Sequence, residues 1–555
     1  MHDQIPGNRR PRRIGIMCIG LLVALLAGCA APLTVNLVAL NDFHGNLEPS
    51  KMWRGKIAVE AGGAETIAAA LQAWRLEDRE LLLVGAGDLI GASPVLSSMW
   101  ADEPTIAAMN LLGLRASALG NHEFDAGPAE LKRQQEGGCD SPRSDKACRL
   151  EARFAGADFT YLAANVVDGK TGKLLRPAYR IVEAHGVKIG FIGAVTREAP
   201  SIILASSAAG LIFQDEADSI NRLLPQLRAQ GVTVFVVLIH EGGATSEAVD
   251  QPECAQLKGP IVDIVKRLDP QIRLIVSGHS HRGYQCVVDG RTVTQAEVAG
   301  HMLSRIALTL DPSTHAVRSV NVRNILMTPG AYPAEPAMTE YLRQLRLRSA
   351  AAVAPVATMG VRTIRVQSNR DGESALGDLV ADSILEATRS DGVQIAMTNL
   401  GGIRKDLEAG ADLSLTYAQV QAVQPFGNTL VVKEMSGKAL CALLELQWPN
   451  VDLSAFNILQ LSTGLSYRWN DSQPQGMRLV RDSVLLNGAL IDDGATYRVA
   501  ISNFLAGGAE GFKSFATART VRDTKVRDVD ALIAYLAKHG RTVSELPAGR
   551  IVRIH

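Results

Sequence analysis

Neither sign of charge dominates this chain: 57 Lys and Arg stand against 57 Asp and Glu over 555 residues. That balance gives no global pull toward nucleic acid or an anionic membrane, so an anionic substrate must be met by local clusters. Cysteine in metal-binding spacing is also lacking. There are seven cysteines, and no two have zinc-ligand spacing, which speaks against a thiolate metal site. No short repeat or low-complexity tract appears beyond the first residues, which sets aside solenoid and linker-type architectures. The early apolar run, Ile14 to Leu26, is too short to favour a membrane-spanning helix.

That run follows Arg9, Arg10, Arg12 and Arg13, and the pair reads as the basic and apolar parts of an export signal. No twin-arginine consensus follows Arg9-Arg10. The run ends in Leu26-Ala27-Gly28-Cys29, which resembles the lipobox of bacterial lipoproteins. The resemblance implies cleavage before Cys29, a lipid on Cys29 as membrane anchor, and a place in the periplasm or on the outer cell surface. An ordinary cleavable signal or an uncleaved anchor is the plainer reading of the same residues. Export makes disulfides possible, with Cys139–Cys148 and Cys254–Cys286 as candidate pairs and Cys441 left in an apolar run.

The length exceeds what one core usually organises, so two domains are expected. From Leu33 to about residue 330, apolar runs alternate with helical stretches. Val35–Leu40, Glu80–Gly85, Val187–Gly193, Val232–Ile239 and Ile272–Val276 read as buried strands. Residues 331–357, with Pro at their edges and a charged helical middle (Tyr341–Ala351), read as a linker helix. Residues 358–555 again mix helices and strands, including a helix over Leu376–Thr388 and a strand over Val393–Met397. The fold class is α/β.

Almost every strand-like run of the first half ends in a polar cluster: Asn41-Asp42-Phe43-His44, Gly87-Asp88, His240-Glu241 and Gly278-His279-Ser280-His281. Gly120-Asn121-His122-Glu123-Phe124-Asp125 follows another apolar run. Catalytic groups on loops at strand ends are the usual arrangement of α/β enzymes. Asp42, His44, Asp88, Asn121, His240, His279 and His281 offer hard oxygen and borderline nitrogen donors, suited to Zn, Mn, Fe or Co. Seven donors exceed what one four-coordinate ion needs but fit two ions if one carboxylate bridges. Asp88, directly after an apolar strand, is the expected bridge. Two ions roughly 3.5–4 Å apart can clamp a phosphoryl group and lower the pKa of a water. Any one of these His residues alone could be a plain surface or hydrogen-bonded residue. His185 and His301 fit no motif, and Glu123 and Glu241 read as local hydrogen-bond partners.

The order Asp-x-His, Gly-Asp, Gly-Asn-His-Glu, His, Gly-His-x-His resembles the calcineurin-like metallophosphoesterases. With the second half included, nearly the whole chain beyond the export signal resembles the exported 5′-nucleotidase family, which includes UDP-sugar hydrolases. The resemblance implies a metallophosphoesterase sandwich of sheets flanked by helices, joined to a second α/β substrate-binding domain. It assigns Asp42, His44, Asp88 and His281 to one divalent ion and Asp88, Asn121, His240 and His279 to the other. Some relatives carry Gln at the place of His281. It makes His122 and Asp125 a catalytic dyad, imidazole on the phosphoryl oxygens and carboxylate orienting it.

A nucleotide offers a flat base, a ribose diol and a phosphate, which suit aromatic faces, carboxylate or amide groups, and guanidinium. By resemblance Phe426 and Phe504 sandwich the base, Arg370 and Arg404 (with Arg365 as a third candidate) serve the phosphate, and Asn399 and Asn428 make polar contacts. Glu510 stands where the family commonly has an Asp on the ribose hydroxyls. The expected activity is hydrolysis of nucleoside 5′-monophosphates, with no nucleic acid polymer as partner. UDP-sugars and 2′,3′-cyclic nucleotides stay open as alternative substrates. The Phe and Arg motifs argue against a thiosulfohydrolase, and the full donor set argues against a non-catalytic nucleotide-binding lipoprotein.

Overall fold

The structure, a computed structural model, describes residues 33–54, 57–448 and 457–554. The export signal and the Cys29 lipobox lie outside the described residues. Among those described, no helix is long and apolar enough to cross a membrane.

The first half is two six-stranded sheets face to face. One runs, edge to edge, Val317–Leu326, Met302–Leu310, Leu33–Leu40, Leu82–Gly85, Leu114–Ala118 and Thr160–Leu162. The last four strands are mutually parallel. The other runs Gly283–Val288, Arg291–Ala296, Leu274–Ser277, Val234–His240, Val187–Val195 and Tyr179–Ala184. Its four central strands are parallel.

Alternation along each strand explains the layers. In Leu33–Leu40, Val35, Leu37 and Ala39 point into the space between the sheets, beside Phe191, Val236 and Val276 of the opposite sheet. Val38 and Leu40 point the other way, into a core closed by the helices Ala64–Glu77, Glu103–Leu112 and Gly127–Glu136. Val237, Ile239 and Ile275 do the same on the outer face of the second sheet, under Pro260–Arg267. Both faces being covered, these strands are largely apolar, and Val234–Ile239 is so without a break. The parallel strands of both sheets end at one pole, and there the polar clusters meet.

The segment expected as a linker holds the helix Pro336–Arg348. It begins five residues before Tyr341, where the charged pattern starts. Pro336 is its first residue, a place where the missing N–H costs nothing, and the Glu335 carboxylate accepts the N–H groups of Ala337 (3.1 Å) and Met338 (2.7 Å). Its face of Met338, Leu342 and Leu345 is built into the core of the first half, and Tyr341 donates to the Pro104 carbonyl at 3.1 Å.

The second half is built on a five-stranded sheet in the order Gln460–Leu461, Ile395–Thr398, Thr496–Ser502, Thr429–Ser436 and Arg519–Arg527. The helices Ala375–Thr388 and Asp528–His539 cover one face. Trp448, Trp469 and a four-stranded sheet cover the other. Ser374 caps the first of these helices, accepting the Gly377 N–H at 3.2 Å. Cys139–Cys148 and Cys254–Cys286 are disulfide-bonded, and Cys441 is buried and free.

Three buried side chains on Pro336–Arg348 contribute roughly 4–6 kcal/mol to the first core. A fragment of residues 33–353 should therefore melt cooperatively in calorimetry, whereas one of residues 33–331 should melt several degrees lower or fail to stay soluble. Equal melting of the two would show that this helix packs without stabilising the first half.

Candidate metal centre and substrate cavity

The loops at the pole are held in backbone conformations that side chains ordinarily avoid. Asp42 (φ 48°), His44 (45°), Asp88 (51°), His279 (72°) and His281 (54°) all lie in the left-handed region. Such a residue costs on the order of 1–3 kcal/mol and persists only where its surroundings over-determine it. Here the loop after Leu33–Leu40 is zipped to the loop after Leu82–Gly85. The N–H groups of Asp42, His44 and Gly45 donate to the carbonyls of Gly87 (3.0 Å), Asp88 (2.9 Å) and Leu89 (3.0 Å). Glu123 fastens the third loop. Its carboxylate accepts the N–H groups of Asp88 (2.9 Å), Leu89 (2.8 Å) and Gly120 (2.6 Å). Burial and the neighbouring Asp88 push the Glu123 carboxyl up to about 7, against these donors. The local role read for Glu123 thus extends over two loops.

The seven candidate donors converge in two groups that share Asp88. Donor atoms of Asp42, His44, Asp88 and His281 all lie within 4.8 Å of one another. In the second group, His240 Nε2 is 3.0 Å from Asp88 Oδ2 and 3.1 Å from Asn121 Oδ1, and His279 Nδ1 is 3.0 Å from Asn121 Oδ1.

Hydrogen-bond arithmetic shows what these groups fit. His240 Nδ1 faces the Ala86 carbonyl at 2.8 Å and His44 Nδ1 faces the Gly91 carbonyl at 2.9 Å. A carbonyl only accepts, so these nitrogens carry the protons and each Nε2 is left as a lone pair. The His44 lone pair then meets His281 Nε2 at 3.1 Å, and that of His240 meets two acceptor oxygens. A proton on His281 Nε2 would satisfy the first contact, but at His240 a lone pair facing two acceptor oxygens needs a proton or a cation between them. With protons alone, burial pulls the His240 imidazole down but Asp88 and Asp42 push it up to about 10. Burial holds the His44 imidazole well below its ordinary value, despite Asp88, and so keeps it a neutral ligand. Nitrogen and carboxylate donors in this mix suit a divalent transition metal.

His122 Nδ1 is 2.8 Å from Asp125 Oδ2, and the His122 N–H donates to Asp88 Oδ1 at 2.9 Å. Burial lowers the His122 imidazole, but Asp125 and Asp88 outweigh it and the net shift is upward. The His122–Asp125 pair therefore sits against the Asp88 loop and favours a protonated ring.

A cavity of about 310 Å³ opens over this pole, between the halves of the chain. Asp88, Asn121, His122, Asp125, His279 and His281 line its first-half side, and Asn399, Arg404, Phe426, Asn428, Phe504 and Glu510 its second-half side. Phe426 lies parallel to the His122 ring, centroids 5.6 Å apart, and the Arg404 guanidinium stands 5.9 Å from the Phe426 ring on its face. Arg370 and Arg365 do not line the cavity and are exposed. Outside the motifs, Asn457 reaches the site by donating to Glu510 at 2.5 Å. Nothing in its own sequence neighbourhood marks it. His185 and His301 pair with Asp78 (3.0 Å) and Glu297 (2.8 Å), away from the donor groups.

Two family descriptions match the chain: calcineurin-like phosphoesterase over residues 35–283, and 5′-nucleotidase, C-terminal domain over residues 351–517. The solved 5′-nucleotidase precursor of Thermus thermophilus superposes with a TM-score of 0.75 at 29% identity, covering 94% of this chain and 100% of that one. The 5′-nucleotidase of Diplobatis ommata is 24% identical, over 96% of this chain and 92% of its own length. The endonuclease YhcR of Bacillus subtilis is 26% identical over 93% of this chain, but the chain spans only 41% of that longer protein. The chain belongs to the calcineurin-like phosphoesterases that carry a 5′-nucleotidase C-terminal domain. Within them it is a metal-dependent phosphoric monoester hydrolase of the 5′-nucleotidase type.

Gly120 tests how tightly the donors are packed. A Cβ there would run into the Asp88 carboxylate, and would stand 2.5 Å from its backbone nitrogen. Gly120→Ala should therefore displace Asp88, lower turnover at least about a hundredfold and lower bound metal by elemental analysis. Full metal content and turnover in that variant would show that Asp88 tolerates displacement.

Proposed function

We propose that the chain holds two divalent ions bridged by Asp88 and uses them to hydrolyse nucleoside 5′-monophosphates to nucleoside and phosphate outside the cytoplasm. The observation that carries the two-ion reading is the position of Asp88 Oδ2. It lies 3.0 Å from His240 Nε2 on one side and 3.6 Å from His44 Nε2 on the other. Asp42, His44 and His281 would complete one site, and Asn121, His240 and His279 the other, with Zn, Mn, Co or Fe as fitting ions. Ions held there supply Lewis acidity toward the phosphoryl group and toward an attacking water.

The chain's own residues do the rest. His122, kept upright by Asp125, presents Nε2 toward the cavity as a proton-bearing donor to the phosphoryl oxygens. Arg404, half-buried over the Phe426 ring and lining the cavity, adds a positive charge for the phosphate. Phe426 and Phe504 offer aromatic faces for the base, and Asn399, Asn428 and Glu510 offer polar groups for the nucleoside. Arg370, exposed beside its turn, has no such place in this arrangement. The basic and apolar start of the sequence, its lipobox-like Cys29 and the two disulfides support export with a lipid anchor.

The test is phosphate release from a panel of 5′- and 3′-monophosphates, UDP-glucose and cyclic nucleotides, with and without chelator. Chelator-sensitive release confined to the 5′-monophosphates is the expected result. His122→Ala should lower kcat about 10²–10⁴-fold with metal content unchanged; loss of metal instead would make His122 a ligand. Phe504→Ala should weaken nucleotide binding by roughly 1–3 kcal/mol while sparing p-nitrophenyl phosphate. An equal loss on both substrates would assign this ring to folding.

A further inference from the structure

Glu510 forms part of the cavity wall from an unusual backbone position. Its φ is 54°, between Gly508 and Gly511, which are both at 86°. Its side chain is fixed from two directions. Asn399 Nδ2 donates to Oε1 at 2.7 Å, and Asn457 Nδ2 donates to Oε2 at 2.5 Å. The backbone approaches closely as well, since a Cβ on Gly401 would stand 2.6 Å from Oε1. Asn399 itself lines the cavity; Asn457 does not, and so holds the carboxylate from behind.

A carboxylate offers about four acceptor positions, two on each oxygen. The two amides use one on each, and one remains on each oxygen. A vicinal diol has two O–H donors at matching separation. A glutamate also has more rotamer freedom to lose than a shorter aspartate, and an amide on its far oxygen removes that freedom.

We propose that Asn457 is a specificity-determining positioning residue, whose amide holds Glu510 so that both carboxylate oxygens face the two hydroxyls of a ribose. The proposal rests on the nucleotide reading above and deepens it. It assigns a sugar-reading role to a residue pair in which only Glu510 touches the substrate. It also accounts for a longer side chain at this place without loss of the diol contact.

The experiment uses the full chain with its metals and measures kcat and KM on three substrates. These are the nucleoside 5′-monophosphate it cleaves best, the 2′,3′-dideoxy analogue of that nucleotide, and p-nitrophenyl phosphate. Two hydrogen bonds to a charged acceptor should give the wild type a preference for the ribonucleotide on the order of a hundredfold. Asn457→Ala should cut that preference about tenfold, chiefly through KM, with little change on p-nitrophenyl phosphate. Asn457→Asp, equal in size but bringing a second carboxylate against Glu510, should cut it at least as far. Glu510→Gln should nearly abolish it. If Asn457→Ala melts early, Asn457→Ser is the milder variant, and the same ratio decides. An unchanged ratio in the Asn457 variants, or an equal loss on all three substrates, would overturn the proposal. A wild type that cleaves nucleotides without regard to the sugar hydroxyls would overturn it and leave the nucleotide reading standing. A wild type that cleaves p-nitrophenyl phosphate but no nucleoside monophosphate would sink that reading itself.

Discussion

A buried carboxylate among imidazoles sets the terms for the rest of this molecule. Burial pushes the Asp88 carboxyl up, yet His240, His122 and His44 around it hold it well below the usual carboxylate range. An ionised group in such a place is costly unless neighbours compensate it. The compensation here comes from two loops and a strand end at once. His44 arrives on one loop, His122 and its backbone N–H on the other, and His240 at the end of a strand in the opposite sheet. No single loop could supply these partners, so the sandwich itself is the means of assembling them.

That dependence explains why strain is concentrated at one pole. The parallel strands end there without hydrogen-bonded successors, and the chain must turn sharply to aim each donor inward. Asp42, His44, Asp88, His279 and His281 all take left-handed backbone to do so. Glycines next to them remove side chains that would collide: a Cβ on Gly87 would lie 2.8 Å from His240 Nδ1, and one on Gly278 would lie 2.9 Å from it. The apolar layers on both sides of each sheet, with the backbone zipper between the first two loops, hold the strained residues in place. Stability built into the layers is what permits a strained, charge-dense site at their end.

How far this was legible in the sequence depended on the range of each contact. Strands covered on both faces write themselves as largely apolar runs, and Val187–Val195 and Val234–His240 lie within two residues of where the pattern put them. The candidate donors were legible because an Asp, Asn or His follows each of these strand-like runs, so their order carried the information. Contacts set by tertiary approach left no such mark. Asn457 has no neighbour in sequence to explain it; it matters only because Glu510, 53 positions on, reaches back to it. Arg370 sits in a motif-like context but is exposed and does not line the cavity, in a turn before the helix Ala375–Thr388. Residues 331–357 read as a linker helix, and the helix Pro336–Arg348 stands there; the pattern did not show that Met338, Leu342 and Leu345 pack it into the first core.

The two halves divide the work by chemistry. The first half concentrates lone pairs and carboxylates, a surface fit for cations and poor at telling one phosphate ester from another. The second half contributes Arg404, aromatic rings and amides to the cavity wall, groups suited to shape and hydroxyl pattern rather than to cleaving a bond. Phe426 stacked on His122 is one place where the two meet, because the ring belongs to one half and the imidazole to the other. That ring-on-ring contact is one of several between the halves, and Gln421 also donates across to Ser98 Oγ at 2.9 Å. Substrate preference in such an enzyme can change by substitution in the second half while the metal loops, locked by Asp88 and Glu123, stay as they are.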